Sequence, residues 1–141
     1  MTEAGAQNRP VFHYPVRVFY EDTDAAGIVY YANYLKFAER GRTEWLRHLG
    51  YDHIRLKRED GLVFAVRRCA ADYLKPARLD DLLDVRTAVT KVAGATIEMA
   101  QDIYLDDTHL VAVQVKLACL DEAGTPMRMP ADLRRVLRGT E

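Results

Sequence analysis

Only one stretch of this chain, residues 31–49, repeats its apolar side chains at the spacing of a long helix, and from residue 63 onward the apolar period drops to two. Leu35, Ala38, Trp45, Leu46 and Leu49 share one helical stripe, Lys36, Glu39, Arg40, Arg47 and His48 lie largely off it, and Gly50 supplies a stop. Strand-like alternation follows. Leu83, Val85 and Val89 alternate with Asp84, Arg86 and Thr90; Ile97, Met99 and Ile103 with Glu98 and Asp102; Val111, Val113, Val115 and Leu117 with Gln114 and Lys116. The joints Ala93-Gly94 and Asp106-Asp107 are short, so these strands are expected to pair as antiparallel hairpins. Before the helix, Val11–Tyr20 reads as a first strand, and after a polar connector containing Lys57 to Gly61, Val63–Lys75 reads as a strand of ambiguous phase ended by Pro76. A short helix from about Ala131 to Leu137, with Pro130 at its start, closes the chain.

Lengths then limit the architecture. A last strand of about 11 residues spans roughly 37 Å at ~3.4 Å per residue, and a helix of about 19 residues spans roughly 28 Å at ~1.5 Å per residue. One helix can lie along one sheet, and long antiparallel strands curl through their natural twist. The expectation is an α+β fold in which a five-stranded antiparallel sheet wraps one long central helix and buries Leu35, Ala38, Trp45 and Leu49. A single helix leaves sheet edges uncovered, so dimerisation by edge-to-edge pairing is expected. Residues 1–10 are polar and read as a flexible arm, with a single domain over residues 11–141.

Composition excludes several classes of function. The 141 residues contain no serine, which removes every Ser-nucleophile scheme. A formal net charge of −1 offers no general attraction to nucleic acid or anionic lipid, and no basic patch or transmembrane run stands out. With no signal-like N-terminus, the cytoplasm is the expected location. Cys69 and Cys119 form no CxxC pair and are expected to be small buried hydrophobes. His13, His48, His53 and His109 are scattered without metal-ligand spacing and are expected at the surface or in supporting roles. No metal or redox cofactor is called for.

The densest polar and aromatic run is Tyr20-Glu21-Asp22-Thr23-Asp24-Ala25-Ala26-Gly27-Ile28-Val29-Tyr30-Tyr31-Ala32-Asn33-Tyr34, at the joint between first strand and helix. A calcium loop fails because Ala26 and Asn33 stand where ligands belong. A phosphate cradle is opposed by the two carboxylates. Two readings remain open on the residues alone. One is a turn, with Asp and Thr bonding nearby amides and Gly27 at positive φ. The other is a carboxylate, Asp24, facing the free N–H groups of the helix start across a small gap, an arrangement suited to acyl transfer because the amides stabilise the oxygen that gains charge under attack.

The run EDTDAAGIVYYANYLKFAERGRTEWL preceded by PVRVFY, with FAVRRCAADYLKPARLDDLLDVRT and MRMPADL further on, resembles the Tol-Pal-associated, YbgC-like branch of the 4-hydroxybenzoyl-CoA thioesterase family, over residues 11 to 137. The resemblance implies a hotdog fold and dimers that associate into tetramers with active sites at the subunit interface. It implies hydrolysis of short-chain or aryl acyl-CoA thioesters, or of thioesters carried by acyl carrier protein, or a non-catalytic acyl-CoA-binding module. By the same resemblance the catalytic carboxylate is Asp24 and the carbonyl-polarising amide is the backbone N–H of Tyr31. Many YbgC-like members have His where Tyr31 stands. Tyr20, Gly27, Val29, Tyr30 and Tyr34 are the substrate-binding candidates. Lys75, Arg78 and Lys91 are candidates for the coenzyme A phosphates, and Glu39 is the substitute catalyst should Asp24 serve only the turn. Asp22 is expected to cap or turn.

Overall fold

The computed structural model describes residues 10–141, so the expected arm over residues 1–10 lies outside the described residues except for Pro10. In chain order the elements are β1 (Phe12–Arg17), a 3-10 turn (Tyr20–Asp22), α1 (Asn33–His48), α2 (His53–Asp60), β2 (Val63–Tyr73), β3 (Leu82–Val92), β4 (Thr96–Leu105), β5 (Thr108–Leu120) and α3 (Ala131–Arg138). The five strands form one antiparallel sheet in the order β1-β3-β4-β5-β2. Consecutive β3, β4 and β5 do pair as hairpins, whereas β2 joins the far edge beside β5.

α1 lies across β3 and β1 and buries Tyr34, Phe37, Ala38, Gly41, Trp45 and Leu46. Leu35, expected on the buried stripe, is 38% exposed. The stripe that faces the sheet runs 34, 37, 38, 41 and 45, and at 3.6 residues per turn Leu35 sits about 100° around from Tyr34, toward the uncovered strand β2. The helix can approach the sheet because position 41 has no side chain: a Cβ there would stand 2.8 Å from Val85 Cγ1. Two apolar clusters flank this contact, one around Trp45, Leu56, Met99 and Leu133, the other around Val18, Phe37, Val85 and Ile103.

Between the clusters sits a buried polar node. Gln101 is fully buried; its side-chain amide donates to the Ala38 carbonyl at 2.8 Å and to Thr87 Oγ1 at 2.9 Å, and its carbonyl accepts from Arg42 Nη1 at 2.9 Å. A buried amide with its groups paired costs little, whereas the same amide unpaired would be expensive.

Two expectations are corrected. The polar connector around Lys57 contains a helix, α2: Asp52 caps it by accepting from the Arg55 N–H at 2.7 Å, and Gly61 ends it in the left-handed region. Cys69 is exposed, while Cys119 is buried as expected. The reason is topological. β2 is an edge strand and α1 lies over β3 and β1, so the middle of the inward row of β2, at Val66 and Cys69, is left open while Phe64 and Ala71 pack against the core.

Candidate active site

The segment between β1 and α1 is tied at both ends. Asp22 is buried, and its carboxylate accepts from the Phe19 N–H at 2.8 Å and from Asn33 Nδ2 at 3.4 Å. Its carbonyl accepts from the Tyr30 N–H at 2.8 Å. Asp22 therefore does the turn-building work expected of it. Beyond it the chain doubles back: Thr23 bridges to Val29, the Asp24 N–H donates to the Ile28 carbonyl at 2.9 Å, and the Gly27 N–H, at φ 81°, donates to the Asp24 carbonyl at 3.0 Å. A side chain is strained at that φ, which is why glycine serves there.

Asp24 crowns this turn. Its Oδ1 accepts from the Ala26 N–H at 2.9 Å, and its other oxygen has no partner among the described residues. The turn is braced from below by the connection between β2 and β3, where the Val29 N–H donates to the Ala77 carbonyl at 2.9 Å and Ile28 bridges to Arg78. The Ala77 N–H in turn donates to the buried Tyr34 hydroxyl at 2.9 Å, joining that connection to α1. Burial pushes the Tyr34 phenol up, and the charges of Asp81 and Asp24 act in the same direction.

The start of α1 presents free donors. The Asn33 N–H donates to the Tyr30 carbonyl and the Leu35 N–H to the Ala32 carbonyl, but the N–H groups of Tyr31 and Ala32 find no acceptor among the described residues. Such orphan amides at a helix N-terminus carry its positive partial charge. Beside them opens an apolar cavity of about 250 Å³. Val29, Tyr31 and Tyr34, all named from the sequence, line it together with Ile28, Tyr73 and Pro76.

The other named residues are not all here. Tyr30 packs its ring on Tyr31 at 5.1 Å without lining the cavity, Gly27 shapes the Asp24 turn, and Tyr20 projects into solvent from the 3-10 turn. Lys75 is at the cavity wall, Arg78 is held against Ile28, and Lys91 stands far along β3 opposite Glu98. Glu39 accepts from Thr43 Oγ1 at 2.7 Å, lines the cleft between α1 and β2 together with Arg42 and Val66, and is not among the residues of this cavity. His13 pairs with Asp84 at 2.8 Å, His109 with Asp102 at 3.0 Å, and His53 meets Thr43 Oγ1 at 3.3 Å. Among the described residues no group of three His, Cys, Asp or Glu side chains could hold a metal ion. Sequence reading missed Ile28 within the run itself, and Tyr73, Leu74 and Pro76, which reach the cavity from some forty residues further along the chain. The only local signal was Pro76, which ends β2 beside the helix start.

Comparison with known proteins shows the family of the chain. A model of the thioesterase superfamily matches residues 26–112. The chain is 50% identical over 110 residues to the acyl-CoA thioesterase YbgC of Haemophilus influenzae, covering 78% of this chain and 81% of that protein. It is 42% identical over 123 residues to the acyl-CoA thioester hydrolase YbgC of Escherichia coli, covering 86% and 88%. Among solved structures, a probable thioesterase from Bartonella henselae superposes with a TM-score of 0.84 at 37% identity, covering 86% of this chain and all of that one.

Proposed function

The chain belongs to the thioesterase superfamily, and from that premise we propose that it hydrolyses acyl-CoA thioesters through Asp24 and the amide of Tyr31. The sheet curled on one long helix is the hotdog fold of its structural neighbours. The observation that carries the reading is the conjunction at the helix start: an unpaired Tyr31 N–H, an apolar cavity with Tyr31 in its wall, and a carboxylate on the adjoining turn.

In this reading the acyl group enters the cavity and its carbonyl oxygen accepts from the Tyr31 N–H. Asp24 removes a proton from water as the water oxygen bonds to the carbonyl carbon, or its own oxygen attacks and water then opens the anhydride. In either course the carbon–sulfur bond breaks, the sulfur leaves with a proton as free coenzyme A, and the acid carries one oxygen of water. Charge accumulates on the carbonyl oxygen during attack, where a preorganised amide backed by the helix dipole is most effective. The substrate class is short-chain or aryl acyl-CoA, in keeping with the size of the cavity.

The exposed edge of β2 supports association of two copies by strand pairing, and sedimentation or light scattering of the full chain measures it. Among the described residues no helix is long and apolar enough to cross a membrane.

The deciding assay measures thiol release from acetyl, butyryl, decanoyl, palmitoyl and 4-hydroxybenzoyl thioesters of coenzyme A, with the Asp24→Asn variant alongside. Hydrolysis by that variant is expected to fall by at least about 10², the scale of a positioned acid–base group. Full activity in it would return Asp24 to the turn and make Glu39→Gln the next variant.

A further inference from the structure

Tyr34 borders the cavity at the helix start, but its hydroxyl serves the backbone. The side chain belongs to the apolar cluster of Val18, Val29, Ala77 and Leu83, with the Phe37 ring edge-on at 6.0 Å. A phenol in such surroundings needs a polar partner, where a phenylalanine would not. That partner is the Ala77 N–H, which donates to the hydroxyl oxygen at 2.9 Å from the connection between β2 and β3. The Ala77 N–H has no other acceptor among the described residues.

From Ala77 the tie runs on to the carboxylate turn. The Ala77 carbonyl accepts from the Val29 N–H at 2.9 Å, and the same Ile28–Val29 peptide offers its carbonyl oxygen to the Asp24 N–H at 2.9 Å. Three hydrogen bonds in series thus join the phenol oxygen to the backbone of Asp24. Tyr34 itself stands three residues beyond Tyr31, whose N–H is bare, so the series links the two groups assigned to the chemistry. Asp22 ties the first limb of the turn to the helix start, through Tyr30 and Asn33; the Tyr34 series holds the second limb, Ile28 and Val29. Tyr34, Ala77 and Val29 are 3%, 0% and 2% exposed within one chain, so pairing of β2 with a second copy leaves these bonds as they are. Burial raises the phenol above its ordinary range, which keeps the oxygen a neutral acceptor around neutral pH.

We propose that Tyr34 is a positioning residue: its hydroxyl, acting through Ala77 and Val29, sets the Asp24 carboxylate relative to the Tyr31 amide. This rests on the acyl-CoA reading above. Without the hydroxyl, the buried Ala77 N–H is left unpaired and the connection has to shift to satisfy it. The turn it braces shifts with it. A misplacement of about 1 Å at a reacting group can cost about 10²-fold in rate, while ground-state binding by the cavity walls is kept. Tyr34 therefore acts on kcat rather than on KM.

The test compares the full wild-type chain with Tyr34→Phe, which keeps the ring, and with Tyr34→Met, whose flexible side chain fills irregular space. Three readouts are taken on folded protein: kcat and KM for butyryl- and benzoyl-CoA, calorimetric binding of the non-hydrolysable thioether S-butyl-CoA, and amide hydrogen exchange. In both variants kcat is expected to fall at least about tenfold, with KM and thioether affinity within about twofold of wild type. Exchange at the Val29 and Asp24 amides should quicken at least about tenfold relative to amides in the middle of α1. The kcat deficit of Tyr34→Phe should be the same from about pH 6 to about pH 9, since the hydroxyl is an acceptor and moves no proton. Unchanged kcat, a loss confined to KM and thioether binding, unchanged exchange at Asp24, or a deficit that varies with pH would each overturn the positioning role and leave the hydrolase reading intact. Absence of thiol release from any thioester in the wild type would overturn the hydrolase reading, while the exchange rates still decide whether Tyr34 holds the turn.

Discussion

α1 is packed in two opposite ways along its length. At its middle, Gly41 lets the backbone press onto β3, and Gln101, Thr87, Ala38 and Arg42 exchange hydrogen bonds in a node whose first three members are buried. At its start, the Tyr31 and Ala32 amides lack acceptors among the described residues, Tyr31 is 61% exposed, and one oxygen of Asp24 has no partner among the described residues. Both places are polar, but only the second is left open. An unmet polar group in a closed site costs about 1–3 kcal/mol, so the node has to be satisfied from within, whereas donors at an exposed helix start can be met by water or by a bound guest.

That contrast can be broken from either side. The largest effect is expected at the open end, where Asp24→Asn should remove about 10² or more of the hydrolytic rate while leaving the urea midpoint within error, because the side chain is exposed. Gln101→Leu should do the opposite. It removes the acceptor of Arg42 and the donor to Ala38 and Thr87, and should lower unfolding free energy by roughly 1–3 kcal/mol in urea titrations. Gly41→Ala is smaller in atoms but forces the helix off Val85. Overpacking of about 1–3 kcal/mol offset by roughly 1 kcal/mol of helix propensity leaves a net loss of about 1 kcal/mol, measurable as a lower Tm. A stabilised Gly41→Ala would show that the middle of the helix is not tightly seated.

The smallest effect concerns the buried thiol of Cys119, which burial pushes up to about 11. Its folded value is raised above the unfolded one, so its contribution to stability is complete below the ordinary thiol range and is lost as pH climbs toward 11. Urea midpoints measured from pH 8 to 11 should therefore decline more in the wild type than in Cys119→Ala. A disulfide reagent at pH 8 should leave Cys119 unmodified until the chain unfolds.

Much of the site was legible in the chain because its chemistry is local. Asp22, Asp24 and Gly27 lie within six residues, and the turn they build depends on side-chain-to-backbone bonds of short span, which spacing reveals. Tyr31 and Tyr34 follow from where the helix begins. Tyr20 was named with them because it is an aromatic neighbour in sequence, but the 3-10 turn points it into solvent. Tyr73 escaped notice for the opposite reason: nothing around it distinguishes it from any strand tyrosine until β2 is seated beside β5 and its ring meets the helix. The node at Gln101 was equally invisible: alternation puts the residue in the buried phase with Met99 and Ile103, but its partners Arg42 and Ala38 come from the helix and no local signal announces them.

The order of residues determined what repeats within a few positions: one long helix, read over residues 31–49 and found at Asn33–His48, strands of period two, and a carboxylate turn at the joint between them. Tertiary structure decided which face of that helix turned inward, leaving Leu35 out and Gly41 in, and which strand became the uncovered edge, exposing Cys69. Periodicity is a property of neighbouring residues, whereas the rotation of a helix on a sheet is settled by contacts summed over strands distant in sequence, and no single segment carries that sum.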